Sequence, residues 1–440
     1  MKAKRHLGLA AGAAAIVTIS IFLVRAVGVQ GVESAPTAWI REQEPVILNG
    51  GQLPLLIGAP LDELFAYAYN GSAWAQIPFQ IDEVDASGVY TVEDGLLDAN
   101  DELVFMAMDL GVQADPLTWI GDADSRNYPR YQLGVANPLN LAEQGWVYIY
   151  RSTMLAPGFA DYVDWDEAND RVLAGTYIAG FAPGVHPGLD SMELNGSGID
   201  SVDRSKIRIE ATCWMGLIPV SVTLTEEDLG GQFDATPDID GPVRVGSGDA
   251  EGVSWFYHSL YGSQLMMELD DLEPPPICSS IEVNALRISV DWLDPATTGM
   301  APATYYDDNV PGGVLIDGSP DTVPATPATT WEQVSGGQGS VVQVMDVTLE
   351  GGTLTNYYKD DQTTDPEDTG DGQSFGDAGL RVEDPAGQVE VGLLNFVLGP
   401  GRPSVGALYR GYYENPLEVT VVAQRDVHRL YLPLVGKNSP

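Results

Sequence analysis

The 440-residue chain carries 63 acidic against 21 basic residues, a formal net charge of −42; such a surface repels polyanions, which excludes nucleic acid and anionic lipid as partners. With 44% apolar residues, 9 Trp and 19 Tyr, the chain has the material for packed cores and is not an acidic disordered tail.

In chain order, Lys2, Lys4 and Arg5 precede an apolar run from Leu7 to Val24, and small residues follow at Ala26-Val27-Gly28 and Ser34-Ala35-Pro36. A basic start, an apolar middle and small residues form the pattern of a secretory signal. The run is also near the roughly 20 residues that span a bilayer, so residues 1–35 read as a signal peptide or as an uncleaved N-terminal anchor, the one membrane contact expected. Either way the rest is expected to be extracellular or on the cell surface.

Residues 36–158 read as an N-terminal β-domain. Trp146–Arg151 alternates apolar and polar residues, as a half-buried strand does; Leu61–Tyr67 and Asp101–Met108 fit a short helix or a strand equally. The first Asp-rich stretch, Asp98-Ala99-Asn100-Asp101, supplies several oxygens within one turn. Hard cations such as calcium are held by such oxygens, while an Asx turn or helix cap uses the same residues without metal. Asp98, Asn100 and Asp101 are therefore candidate calcium ligands.

A boundary is expected near Leu155–Val163. Beyond it, 159–424 reads as a larger β-sandwich region, with a second candidate division near 300, where Pro295 and Pro302 bracket small residues. Alternation recurs at Ser205–Ala211, Ser280–Trp292, Ser340–Glu350, Gln388–Val397 and Leu417–Val421. The phase slips near Ala285-Leu286, which suits a β-bulge. Gly, Pro, Asp and Asn clusters separate the runs, and no fixed-period repeat argues for a propeller or solenoid. The fold class expected is all-β, with one or more β-sandwich or large curved-sheet domains, long acidic loops and few short helices.

Cys213 and Cys278 are the only two cysteines. In an exported chain a disulfide is their default state, and no zinc or iron–sulfur pattern competes with it. Trp255-Phe256-Tyr257-His258, with Tyr261 beyond, reads as a strand with alternate faces. Its Trp255, Tyr257, His258 and Tyr261 are candidate carbohydrate-stacking residues; the same pattern serves a core strand with one half-exposed face. The densest acidic stretch contains Asp360, Asp361, Asp365, Asp368, Asp371 and Asp377. Unpaired, these carboxylates repel one another; calcium would neutralise them, and a solvated acidic loop is the alternative. No G-x-S-x-G motif accompanies His186, His258 and His428, so no catalytic set is specified.

Two stretches carry resemblances. Trp74-Ala75-Gln76-Ile77-Pro78-Phe79-Gln80-Ile81-Asp82, leading to Asp101-Glu102-Leu103-Val104-Phe105, resembles the N-terminal β-domain of exported bacterial polysaccharide-processing proteins; this implies a β-sandwich and a carbohydrate ligand, and transfers no catalytic residue. Arg429-Leu430-Tyr431-Leu432-Pro433-Leu434-Val435, within a tail at 425–440, is similar to the R-x-Y-L-P-L-V endings of secreted proteins of green non-sulfur bacteria, which implies a bacterial surface or secreted protein. The reading that follows is a secreted or cell-surface acidic β protein, calcium-stabilised, that binds carbohydrate or another surface component. A polysaccharide lyase or glycoside hydrolase is the alternative, and a haem or redox-partner module a third.

Overall fold

Period-two alternation becomes extended chain throughout the protein, whose structure is a computed structural model: strand accounts for 49% and helix for 8%. The structure describes residues 40–91, 94–229, 236–248, 255–269 and 278–426. The export segment expected at 1–35 and nearly all of the tail expected at 425–440 lie outside the described residues, as does His428.

The first sandwich sets the sheet Pro45–Asn49, Glu102–Met106, Gln80–Asp82 against a five-stranded antiparallel sheet. Leu48, Leu103 and Phe105 from one side meet Leu133, Val147 and Ile149 from the other, all buried in one cluster. The two ambiguous segments resolve as strands, each with a single 3-10 turn: Leu61–Glu63 leads into Leu64–Tyr69, and Glu102–Met106 leads into Ala107–Asp109. The five-stranded sheet runs Glu418–Gln424, Arg130–Asn137, Asn140–Arg151, Leu64–Tyr69, Trp74–Gln76. Its edge strand thus comes from the far end of the chain, pairing Glu418 with Ala136 through to Gln424 with Arg130. Arg41, wholly buried, clamps the same two regions by donating to the carbonyls of Tyr412 and Asn415.

The rest builds three further antiparallel sheets. A five-stranded sheet runs Ile218–Thr225, Val202–Met215, Ser280–Trp292, Ser374–Glu383, Thr353–Asp361. It packs on a nine-stranded sheet through Ile209, Leu286, Leu380 and Val382 on one side and Met345, Val391 and Leu393 on the other. A four-stranded sheet of Val163–Asp166, Arg171–Ala174, Tyr177–Phe181 and Leu189–Leu194 joins the same body through Tyr177 and Leu194. The phase slip is real: Glu210 pairs with Ala285 but Ala211 with Val283, which leaves Asn284 as the extra residue. Cys213 and Cys278 form a disulfide with Cα atoms 5.4 Å apart. Among the described residues no helix is long and apolar enough to cross a membrane.

Candidate functional site

Strand Trp255–Ser259 lies between Arg244–Gly248 and Gly262–Leu269 in the nine-stranded sheet. His258 is buried on one face and Tyr257 half-buried on the other. On one, the His258 ring is buried among Tyr177, Phe181 and Phe256, with Nδ1 3.0 Å from the Tyr177 hydroxyl. Burial pushes that imidazole down to about 4, so it is neutral at physiological pH. On the other, Tyr257 stacks 4.6 Å from the Arg244 guanidinium, with Tyr90 across it. Tyr261 packs against Val104, Met106, Val243 and Leu260. The side chain of Trp255 lies outside the described residues. Of the candidate stacking residues Trp255, Tyr257, His258 and Tyr261, Tyr257 and His258 point to opposite sides of the strand, as its alternation predicts, and do not stack on one sugar ring.

Arg244 is the hub that this strand serves, and the Q-x-D strand of the first sandwich holds it. Gln80 accepts the backbone N–H groups of Val243 and Arg244 at 3.0 and 2.9 Å. Asp82 accepts from Arg244 Nε at 2.7 Å and Glu102 from Nη2 at 2.6 Å. A buried guanidinium met by two carboxylates and flanked by two rings is a structural joint; it fastens the first sandwich to the larger body.

The Asp-rich stretch is divided between the strands Thr353–Asp361 and Ser374–Glu383 and the loop between them, which folds back over the outer face of the second five-stranded sheet. Strand Val202–Met215 puts Arg204, Lys206 and Arg208 on that face, where solvent-facing charges are expected from the alternation. Lys206 is instead 0% exposed, as are Asp291 and Asp377 on the next two strands. The loop supplies the cover. Asp368 reaches Lys206 at 3.1 Å and Arg208 at 2.8 Å, and Asp371 donates its N–H to Asp203 at 3.1 Å. Gly370 makes this approach possible: its φ is +71°, and a Cβ there would stand 1.9 Å from an Asp203 oxygen.

These aspartates, Asp377 apart, each have hydrogen-bond partners of their own. Asp360 accepts the N–H groups of Asp317 and Gly318, and burial still pushes it up to about 6. Asp361 is held below its ordinary range by N–H donation from Thr363. Asp365 and Asp371 cap the turns at Glu367 and Gln373. Asp368 ends below the usual range: burial works to raise it, but Lys206 and Arg208 outweigh that. The six do not converge on a point, and among the described residues no three His, Cys, Asp or Glu groups are placed to hold a metal. The first stretch is likewise engaged: Asp101 accepts the N–H groups of Val84 and Asp98 at 3.1 and 2.6 Å, and the Asn100 amide donates to the Val84 carbonyl. Backbone donors, Lys206 and Arg208 thus supply part of the neutralisation for which calcium is expected.

A groove of about 400 Å³ runs along strand Val163–Asp166. Leu173 and Ile178, cross-strand partners on the same face as Asp164, form a half-exposed apolar floor, and Asp161 and Asp164 stand exposed beside it and Tyr162. Asp240, on the neighbouring hairpin, is raised by burial first and then by Asp164 and Asp161. Tyr162 donates to Asp109 at 2.8 Å, and burial pushes that carboxyl up to about 6. An apolar floor under acceptor oxygens is suited to a polyol: ring C–H groups cover the floor and hydroxyls donate to the rim. Nothing in a single-sequence pattern marks these residues, because the rim is assembled from a loop and two hairpins. His186 is not part of it; buried, it is bound to Asp190 at 2.8 Å.

No protein-family model matches the chain, and no curated protein matches it. Among solved structures, a protein in glycosyl hydrolase family 38 from Enterococcus faecalis aligns at 9% identity with a TM-score of 0.38, over 89% of this chain and 47% of that one. An alpha-mannosidase from Enterococcus faecalis V583 aligns at 9% identity with a TM-score of 0.33, over 85% and 48%. The chain spans about half the length of these structures.

Proposed function

We propose that this is an exported, cell-surface β protein that binds a neutral carbohydrate, with no chemistry of its own. The groove carries the reading: its apolar floor and carboxylate rim at Asp161 and Asp164 match the two faces of a sugar ring. The acidic rim and the charge of −42 disfavour uronates and sulfated glycans, so the ligand is uncharged. The amino-terminal export pattern supports the location. Calcium enters only as a loosely held counter-ion of exposed carboxylates such as Asp371, not as a structural ligand. Titration of the chain with a panel of neutral oligosaccharides tests the reading. Binding that weakens by about tenfold or more in Asp161→Ala and Asp164→Ala supports it, a loss of about 1.4 kcal/mol per site. Binding that the two variants leave unchanged, or selective binding of anionic glycans, overturns it.

A further inference from the structure

Under the Asp-rich loop lies an arrangement that the carbohydrate reading does not use. Lys206 and Asp291 sit on adjacent antiparallel strands as diagonal neighbours, since Arg204 pairs with Asp291 and Lys206 with Ser289. The Lys206 Nζ is 2.6 Å from Asp291 Oδ2, and both side chains are 0% exposed. The other oxygen of Asp291, Oδ1, accepts the N–H of Phe375 at 3.0 Å. On the next strand stands a third fully buried group, Asp377, with neither oxygen in a hydrogen bond; its nearest cation, Arg287, is 3.8 Å away. A buried carboxylate with unmade hydrogen bonds is costly, and structures keep such groups where they have work to do.

We propose that Lys206 and Asp291 form an intramolecular isopeptide bond, with Asp377 as the proton acceptor.

The atoms balance without any outside reagent. The Lys206 ammonium, whose carboxylate neighbours within 4.0 Å are Asp203, Asp291 and Asp368, moves within hydrogen-bond reach of Asp377 and gives its carboxylate one proton. The freed amine attacks Cγ of the protonated Asp291, forming the N–C bond. A nitrogen hydrogen-bonded to a carboxyl oxygen already stands near the roughly 3–3.5 Å of an attack conformer. The Phe375 N–H on Oδ1 faces the oxygen on which negative charge develops. The C–Oδ2 bond then breaks, and that oxygen leaves as water with its own proton and a second one from nitrogen. The products are a neutral amide, one water and a protonated Asp377.

The surroundings choose Asp291 over Asp368, which also touches Lys206. Asp291 is raised well above the ordinary carboxyl range by burial first and by Asp377 next, so it is available as the electrophilic acid. Asp368, held low by Lys206 and Arg208, stays an unreactive carboxylate. Lys206 itself is lowered by burial but raised more by Asp291, Asp377 and Asp368, which is why an acceptor such as Asp377 is required. The burial that makes Lys206 costly as an ion would be relieved by its becoming an amide.

The test is the intact mass of the full chain after reduction, with a peptide map. The expected result is a mass lower than that of the sequence by one water, and a Lys206 peptide joined to the Asp291 peptide. Lys206→Arg, which keeps the charge, and Asp291→Ala are expected at full mass; Asp377→Asn is expected to accumulate the unlinked form. If a variant does not fold, the wild-type mass still decides. A wild-type chain at full mass, or a link that maps to Asp368, overturns the proposal. These outcomes do not depend on whether the groove binds a sugar.

Discussion

Glu332 shows what a single buried side chain does to the molecule. It sits in the nine-stranded sheet with Oε2 outside any hydrogen bond, and burial, then Asp307 and Asp377, push it up to about 8. A carboxyl raised on folding contributes fully below its unfolded value and loses that contribution as pH climbs through about 8. Glu332→Gln is therefore expected to stabilise the protein at pH 9 by about 2–4 kcal/mol and to change little at pH 5, read by urea melts at both values. Equal effects at both pH values would show that ionisation is not the cause. Lys206 makes the complementary point about legibility. Alternation in Ser205–Ala211 located its strand and its face, but assigned the charges to solvent. Only a loop some 160 residues away in sequence turns that face into an interior. The available signal was the Arg204, Lys206, Arg208 spacing itself, three cations on one face of a strand in a chain with 21 basic residues.

At the scale of elements, the strands were readable because each carries its own period, and the Asn284 bulge because it breaks one. Their neighbours were not readable. Which sheet a strand joins depends on partners distant in sequence, so the alternation at Trp255–His258 predicts the strand and its two faces, one buried and one half-exposed, and not the Arg244 joint that it serves. The disulfide is a case where composition alone sufficed. It ties the tip of the hairpin Val202–Met215 and Ile218–Thr225 to the start of strand Ser280–Trp292 across 65 positions. The double variant Cys213→Ala, Cys278→Ala is expected to lose about 4 kcal/mol, seen as a lower thermal midpoint that matches the reduced wild type. A difference between the two would point to reducible groups elsewhere.

For the whole molecule, charge sets the stability landscape. A body with net charge −42 repels itself, and screening shortens that repulsion to about 3 Å at 1 M salt. The thermal midpoint is expected to rise from low to molar sodium chloride. If the Asp-rich loop is neutralised from within, as its bonds to Lys206 and Arg208 indicate, added calcium at matched ionic strength is expected to contribute no more than sodium. A large fall in the midpoint with EDTA would return a structural calcium ion to the loop.

The strand Glu418–Gln424 has a consequence for how the chain comes into being. Thr420 donates to the carbonyl of Gly134 across 286 positions, so a chain emerging amino end first presents Arg130–Asn137 as an open edge until those positions are made. An unsatisfied edge is a template for any passing strand, including the same strand of a neighbouring nascent chain. The first sandwich is thus begun early and sealed last. Closing of the first sandwich waits on strand Glu418–Gln424, and a chain held before residue 418 is a species primed to associate with its own kind.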